Sequence, residues 1–463
     1  MKTIELPLEL PLYITDNLWD SPVTAIPSSA PSQTELPPEL ISSIVGNLWD
    51  DLTSLKHCSL VSRSWTAAAQ RHLFRVLILG KDWMGHTLCV FARDGYFQPI
   101  PPFIQISSSL QTYHNFLDLV TRIPAVARNV RLVTFEFRSL PSSDGIAPYS
   151  QEEVKALSAI LSKFTHVVAV NLILGNWTRG QFEHEEAIST IIQQPLISAI
   201  TIYSTELTLL DLISLCTQSP GLKALNIEYL SPNSTASDVG VIGVDRLNPA
   251  GATTHLEDLC ISGTSTSFID WLLHPQCTVG LTYLRGLSLR VEIATYSEQH
   301  TTRLMRKTAP QLECLRLCGN IFTSQRNIRF YELNWSPNLR HLCLFGLESS
   351  ETQSSAYNVV KMFSGLIGPL PLEELEMEIE IYFPQNLSAA RLLWAHWRQV
   401  DSQLIQSELA HLRAVTITLS VHDLLKKHVT LEDCESSMMD VFSAFSAQQG
   451  RMLNVTADVY KSF

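Results

Sequence analysis

The sequence predicts an α/β protein in which a short all-helical segment precedes an irregular solenoid of strand–helix repeats, with a parallel sheet inside and helices outside. Three observations carry this expectation. An apolar phrase with large side chains at its first, fourth and sixth positions returns about ten times from residue 130 onward. Segments of helical periodicity separate its copies, and a period of 25 to 40 residues is the range in which repetition implies a stacked array. Ahead of both, residues 36–75 hold three short amphipathic helices.

The helical segment opens on a phrase written twice. "LPLELPLYITDNLWD" at residues 6–20 and "LPPELISSIVGNLWD" at residues 36–50 share nine of fifteen positions at an offset of thirty. After the second copy, Pro37 and Pro38 suit the first turn of a helix and Glu39 favours the positive end of its dipole. Leu40, Ile44 and Leu48 recur every four residues and form one apolar stripe. Asp50 or Asp51 can cap a second helix lined by Leu52, Leu55 and Cys58, and Ser62 can cap a third, "RSWTAAAQRHL", with Trp65 inward. Three helices in about forty residues cannot bury all these groups among themselves, so part of the surface must meet another protein or the rest of the chain.

The stretch "LPPELISSIVGNLWDDLTSLKHCSLVSRSWTAAA" resembles an F-box, in its Leu-Pro-x-Glu opening and its Val-Ser-Arg-x-Trp ending. The resemblance covers about a tenth of the chain. It implies a module that docks on a Skp-type adaptor and, through it, on a cullin–RING ubiquitin ligase. Carried over by position, Leu36, Pro37, Leu40, Ile44, Leu52, Leu55, Val61 and Trp65 form the adaptor-facing surface or its support. The first copy departs from the pattern. Pro11 stands where the second copy has Ile41, a cost of roughly 3 kcal/mol in a helix interior, and Pro22 follows with no Val-Ser-Arg-x-Trp ending. It is read as a broken duplicate on a flexible arm, without a working adaptor site. The expected organisation is therefore an arm at 1–34, an F-box at 35–75 and a repeat array with a C-terminal cap at 76–463.

In the array the phrase reads "VRLVTFEF" at 130, "VVAVNLIL" at 167, "ISAITIYS" at 197, "LKALNIEY" at 222 and "LEDLCISG" at 256. It continues as "LRGLSLRV" at 284, "LECLRLCGN" at 312, "LRHLCLFG" at 339, "LEELEMEI" at 372 and "LRAVTITL" at 412. "LFRVLIL" supplies an earlier strand and "RMLNVTADVY" one at the C-terminal edge. Between them "TYHNFLDLVTRI", "QEEVKALSAILSKF", "EHEEAISTIIQQ" and "SSAYNVVKMFSGLI" are helical. The phrase resembles the leucine-rich repeat, LxxLxLxxN, although only "LECLRLCGN" ends in the asparagine, Asn320. An F-box followed by degenerate repeats resembles large F-box families of fungi and plants, whose repeats bind the target.

The chain's 463 residues carry only 17% charged residues and a net charge of −12, with a pI near 5.6. That balance argues against phosphate-backbone binding as the main task. The N-terminus carries acids and prolines where a signal peptide needs an unbroken apolar run, and no stretch approaches the ~18 apolar residues of a membrane span. The expectation is a cytoplasmic or nuclear protein with no membrane partner. The nine cysteines lack any CxxC and read as reduced, buried thiols. Cys314 and Cys318 lie about 13 Å apart along a strand at ~3.3 Å per residue, too far to share one zinc. Sequons at 176–178 and 233–235 are read as chance matches.

No HExxH, GxSxG, GxxxxGK[ST] or EF-hand loop is present, and the 14 histidines are scattered, with His341 read as mid-strand and His422 and His428 near a helix. "GVIGVDRLNPAG" at 240–251 follows a polar loop rather than a strand, which argues against a phosphate cradle. The expectation is a non-enzyme without cofactor or metal. Strand alternation turns the residue between the last two apolar positions away from the core: Thr134, Asn171, Thr201, Asn226, Cys260, Ser288, Arg316, Cys343, Glu376 and Thr416. Charges cluster late, with Arg285, Arg290, Arg316, Arg340 and His341 followed by Glu373, Glu374, Glu376, Glu378 and Glu380. Arg285, Arg290, Arg316, Arg340, Glu376 and Glu378 are candidate partner-binding residues, against the alternative that these charges pair with each other. The turn-rich stretch 231–254 is a candidate rim loop. A binding scaffold that does not direct ubiquitination is the rival to the ligase reading.

Overall fold

The computed structural model describes residues 36–48, 51–80, 89–91, 97–99, 104–106, 110–137, 150–174, 185–204, 209–228, 254–262, 266–275, 277, 279–290, 298–318, 333–350, 354–382, 387–422 and 430–459. The first copy of the duplicated phrase, residues 231–253, both sequons, Asn320 and His428 lie outside them. The chain divides into two compact units, Met1–Leu222 and Lys223–Phe463. Both are α/β with parallel sheets.

The first unit opens with helices α1 (Pro38–Gly46), α2 (Leu52–Cys58) and α3 (Arg63–Leu73). Pro38 occupies the first helical position of α1, where its missing N–H costs nothing. Asp51 caps α2, its Oδ1 accepting from the N–H groups of Thr53 at 3.0 Å and Ser54 at 3.1 Å. Ser62 does not cap α3 through its side chain. Its Oγ lies 2.9 Å from Ser64 Oγ instead, while Thr66 Oγ1 donates to the carbonyls of Ser59 and Ser62 at 2.6 and 2.8 Å. The three helices enclose Ile41, Val45, Leu55, Ala68, Ala69 and Leu73, with Leu48, Cys58, Trp65 and Phe74 packed against them. The inward stripe of α1 is thus Ile41–Val45, one residue round from the Leu40–Ile44 stripe read from the sequence.

Strands β1 (Val76–Gly80), β2 (Cys89–Phe91), β3 (Phe97–Pro99) and β4 (Ile104–Ile106) follow, then α4 (Leu110–Arg122), α5 (Pro124–Asn129) and β5 (Leu132–Phe137). After them come α6 (Gln151–Leu161), β6 (Ala169–Leu174), α7 (Glu185–Ile192), β7 (Ala199–Ser204) and α8 (Leu209–Thr217). The sheet order is β4-β1-β5-β6-β7, every pair parallel, with a separate β2–β3 antiparallel pair. A capping box between Ser150 and Glu153 starts α6.

The second unit runs β8 (Ala224–Glu228), β9 (Thr254–His255), β10 (Asp258–Ser262), α9 (Thr266–Leu273), β11 (Val279–Gly280), β12 (Gly286–Arg290), α10 (Glu298–Thr308) and β13 (Cys314–Cys318). It continues through β14 (His341–Ser349), α11 (Ala356–Ser364), β15 (Glu374–Tyr382), α12 (Leu387–Leu404), β16 (Ala414–His422), α13 (Leu431–Val441), α14 (Ser443–Ser446) and β17 (Met452–Val459). Its sheet order is β8-β10-β12-β13-β14-β15-β16-β17, again parallel throughout. Helices pack on helices that follow them in the chain, α4 on α5 and α6, α6 on α7, α9 on α10, α11 on α12 and α12 on α13. A layer of helices beside a parallel sheet gives the apolar faces of both a common core.

Each copy of the apolar phrase begins two residues before its strand, so its fourth and sixth residues fall at the same register on every strand. Leu225, Leu259, Leu287, Leu315, Leu342, Leu375 and Val415 stand in one row and are all buried. The outward residues align just as regularly, Thr134–Asn171–Thr201 in the first unit and Asn226–Cys260–Ser288–Arg316–Cys343–Glu376–Thr416 in the second. From Thr134 to Cys343 this row is buried rather than open. The register shifts once, between Leu344 and Leu347, where Gly346 takes a positive φ of 65°. The last strand is covered by α13, whose Glu435 carboxylate accepts the Ala457 N–H at 2.7 Å. That contact satisfies a backbone donor which an edge strand would otherwise leave open.

Candidate protein-docking surface

The α1–α3 module leaves large aliphatic side chains in solvent. Leu36 is 44% exposed, Leu40 51% and Ile44 42%. Spaced four apart, they mark the side of α1 away from Ile41 and Val45. In the turn between α2 and α3, Leu60 is 68% exposed and Val61 64%. Burying one such side chain fully is worth about 1.5–3 kcal/mol, so a partner covering these residues would gain several kcal/mol. Pro37 is also exposed. Leu55 is fully buried, and half-buried Trp65 packs against the same core, so both support the surface from behind. Leu52 opens α2. The sequence reading missed Leu60. Its only signal was an apolar pair, Leu60–Val61, in a turn where no core-facing period requires one.

The candidate charged residues do not form one strip. Arg285 and Arg340 sit immediately before β12 and β14, where Arg285 Nε is 3.9 Å from Glu313 Oε1 and Arg340 Nη1 is 3.2 Å from Glu373 Oε1. The position before the strands from β8 to β16 reads Lys223, Glu257, Arg285, Glu313, Arg340, Glu373 and Arg413, an alternation of sign that ends at β17, where Arg451 follows Arg413. Lys223 Nζ lies 2.8 Å from Glu257 Oε1. With strands about 4.8 Å apart, a run of one sign here would repel, whereas alternation neutralises it. These pairs are largely exposed, and each contributes at most about 1 kcal/mol.

Arg316 and Arg290 are placed differently. Arg316 lies within β13, 6% exposed, between Ser288 and Cys343 in register. Arg290 ends β12 in solvent, and neither is a free cation. Of the acids, Glu376 accepts from the Cys343 thiol at 3.4 Å and Glu378 from Ser420 Oγ at 3.4 Å. Burial pushes the Glu378 carboxyl above its ordinary value, opposed by the Ser420 hydrogen bond, reinforced by Glu380 and opposed again by Arg290. At the end of β15, Glu380 accepts from Tyr382 Oη at 2.9 Å and lies 3.7 Å from His422 Nε2, with the Tyr382 and His422 rings stacked at 4.1 Å. His341 opens β14, at its first residue rather than mid-strand, and bonds Glu374 at 3.1 Å, and His422 ends β16.

Burial pushes the Cys260 thiol up to about 12. A hydrogen bond between Cys314 and Cys343, on neighbouring strands, lowers the first thiol and raises the second. Cys58, Cys216, Cys260, Cys277, Cys314, Cys318, Cys343 and Cys434 are free, and among the described residues no group of side chains is arranged to hold a metal ion and no helix is long and apolar enough to cross a membrane. Compared with known proteins, the chain matches no family model and no curated protein.

Proposed function

We propose that this chain is the substrate-recruiting subunit of a Skp–cullin–F-box ubiquitin ligase. In this reading residues 36–75 are an F-box that docks a Skp-type adaptor, and the strand–helix array is an irregular leucine-rich-repeat-like receptor for a target protein. The observation that carries it is the exposure of Leu36, Leu40, Ile44 and Val61 on a module that already has a core of its own. A soluble module has no reason to keep four large aliphatics in water unless a partner covers them. The regular strand register supports the receptor half, and a net charge of −12 suits a protein target better than a nucleic acid. Such a protein would act in the cytoplasm or nucleus, without cofactor and without catalysis of its own.

The test is affinity purification of the full chain against a chain carrying Leu40→Asp and Ile44→Asp. The native chain should bring down adaptor and cullin, and its target should accumulate ubiquitin. The variant should lose adaptor and cullin together. Adaptor capture without cullin or target turnover would favour a binding scaffold of the same architecture.

A further inference from the structure

We infer that Cys314 and Cys343 form a reactive thiol pair on the outward face of the second unit's sheet, in which Cys314 takes up a low-molecular-weight disulfide as a lasting mixed disulfide. The pair belongs to the array alone and keeps its chemistry whether or not α1–α3 docks an adaptor. Cys314 opens β13 and stands in one row with Asp258, Gly286, His341 and Glu374. The next row on the same face is Cys260, Ser288, Arg316, Cys343 and Glu376. From Cys260 to Cys343 that second row is buried, whereas in the first row Cys314 and His341 are half-buried and Glu374 is exposed. Cys314 is thus the member of the pair that a small molecule reaches.

Cys343, diagonal to Cys314 on the neighbouring strand, is the donor of the pair. Its S–H faces two acceptors, Cys314 Sγ and Glu376 Oε2, the latter at 3.4 Å, and so keeps its proton. The hydrogen bond from Cys343 holds the Cys314 thiol below its ordinary value, opposed by burial, helped by the charge of Arg316 and opposed again by Asp258 and Glu376. Cys318, half-buried on the same strand and face, goes the other way: burial pushes it up to about 11, opposed by Arg290 and reinforced by Glu378, Glu380 and Glu228.

In the exchange the Cys314 thiolate attacks one sulfur of the incoming disulfide. A new S–S bond forms as the old one breaks, and the displaced thiolate leaves and takes a proton from water. Cys343 does not displace the adduct. Strands ~4.8 Å apart and two residues at ~3.3 Å each put the two α-carbons about 8 Å apart, beyond the ~7 Å that a disulfide spans. The adduct therefore stays on the face that carries Arg316 and Glu376, and a partner resting there meets it.

The experiment incubates the reduced full-length chain with oxidised glutathione at neutral pH, blocks the remaining thiols with N-ethylmaleimide and follows each cysteine over time by peptide mass spectrometry. A thiol near 11 carries about 100-fold less thiolate at neutral pH than one at the ordinary 9.0, and its greater intrinsic nucleophilicity recovers about half of that in the exponent. Cys314 should accordingly react about tenfold faster than Cys318, and as a glutathione adduct rather than a bond to Cys343. Cys343→Val removes the donor and should slow Cys314 several-fold, while Cys343→Ser, which restores an O–H donor, should recover most of the rate. A variant that does not fold shows itself by uptake at buried Cys434, and the native chain's own ratio then decides. A Cys314 rate no greater than that of Cys318, a Cys314–Cys343 disulfide as the main product, or an unchanged Cys314 rate in folded Cys343→Val overturns the inference.

Discussion

Arg340 and Glu373 are joined twice: their side chains meet at 3.2 Å, and the Glu373 N–H donates to the Arg340 carbonyl at 2.8 Å. The same backbone bond links each residue of the alternating series to the next, Glu257 to Lys223 at 2.7 Å, Arg285 to Glu257 at 2.7 Å, Glu313 to Arg285 at 2.9 Å, Arg340 to Glu313 at 2.8 Å and Arg413 to Glu373 at 2.8 Å. The backbone ladder fixes the spacing, and the side chains must then tolerate it. Arg285 and Arg340 therefore belong to the alternating series of the sheet, with side chains that stay more than half exposed.

Arg340→Glu should place three carboxylates in succession, Glu313, the new residue and Glu373. The expected loss is about 1 kcal/mol, since these groups are well exposed, and it should shrink as salt screens the repulsion. Arg340→Glu combined with Glu373→Arg should recover part of it. Urea denaturation at low and high salt measures both, and a loss that is independent of salt would place the effect elsewhere than in the charge.

The two stripes of α1 should separate binding from stability. Ile41→Ala or Val45→Ala removes a fully buried side chain, and Ile41→Ala should cost about 2–5 kcal/mol. Leu40→Ala with Ile44→Ala should leave the melting transition nearly unchanged while reducing adaptor affinity more than tenfold. A double variant that unfolds the module would show that this face is needed for folding.

These contrasts show what could be read from the residues alone. The strands were legible because apolar positions one, four and six recur, and all ten copies open two residues before a strand. The short β2–β3 and β9–β11 pairs were not, since two or three residues, one of them Pro99, leave no period to detect. On α1, Leu40, Ile41, Ile44 and Val45 form two adjacent apolar stripes, and spacing alone cannot tell which faces in. The arginines were grouped because they lie close in sequence. Only the register separates Arg285 and Arg340, before their strands, from buried Arg316 within one.

Arg316 and Arg290 should respond differently to truncation. Arg316 is 6% exposed and stands between Ser288 and Cys343 in register, so Arg316→Ala removes a buried side chain and should cost more than about 1 kcal/mol. Arg290 stands in solvent at the end of β12, and Arg290→Ala should change stability by under about 1 kcal/mol. If a target uses this face, target capture should then fall with Arg290→Ala at unchanged stability. Equal destabilisation by the two variants, measured by chemical denaturation, would contradict the placement.

Glu378 should make stability depend on pH in a direction opposite to most carboxylates. Burial raises its carboxyl in the folded state, and the hydrogen bond from Ser420, the charge of Glu380 and the charge of Arg290 modify that shift in turn. A raised folded value means that the folded chain binds the proton more tightly than the unfolded chain. Its contribution is therefore most favourable below the ordinary carboxyl value of 4.5 and is lost as pH rises through the folded value. Glu378→Gln mimics the protonated form and keeps an acceptor for Ser420 Oγ. The variant should be more stable than the native chain at neutral pH, and the difference should vanish as pH falls below the ordinary carboxyl range. Denaturation midpoints of the two chains across that range decide it, and a difference that grows toward acid would mean that the Ser420 hydrogen bond and the charge of Arg290 outweigh burial.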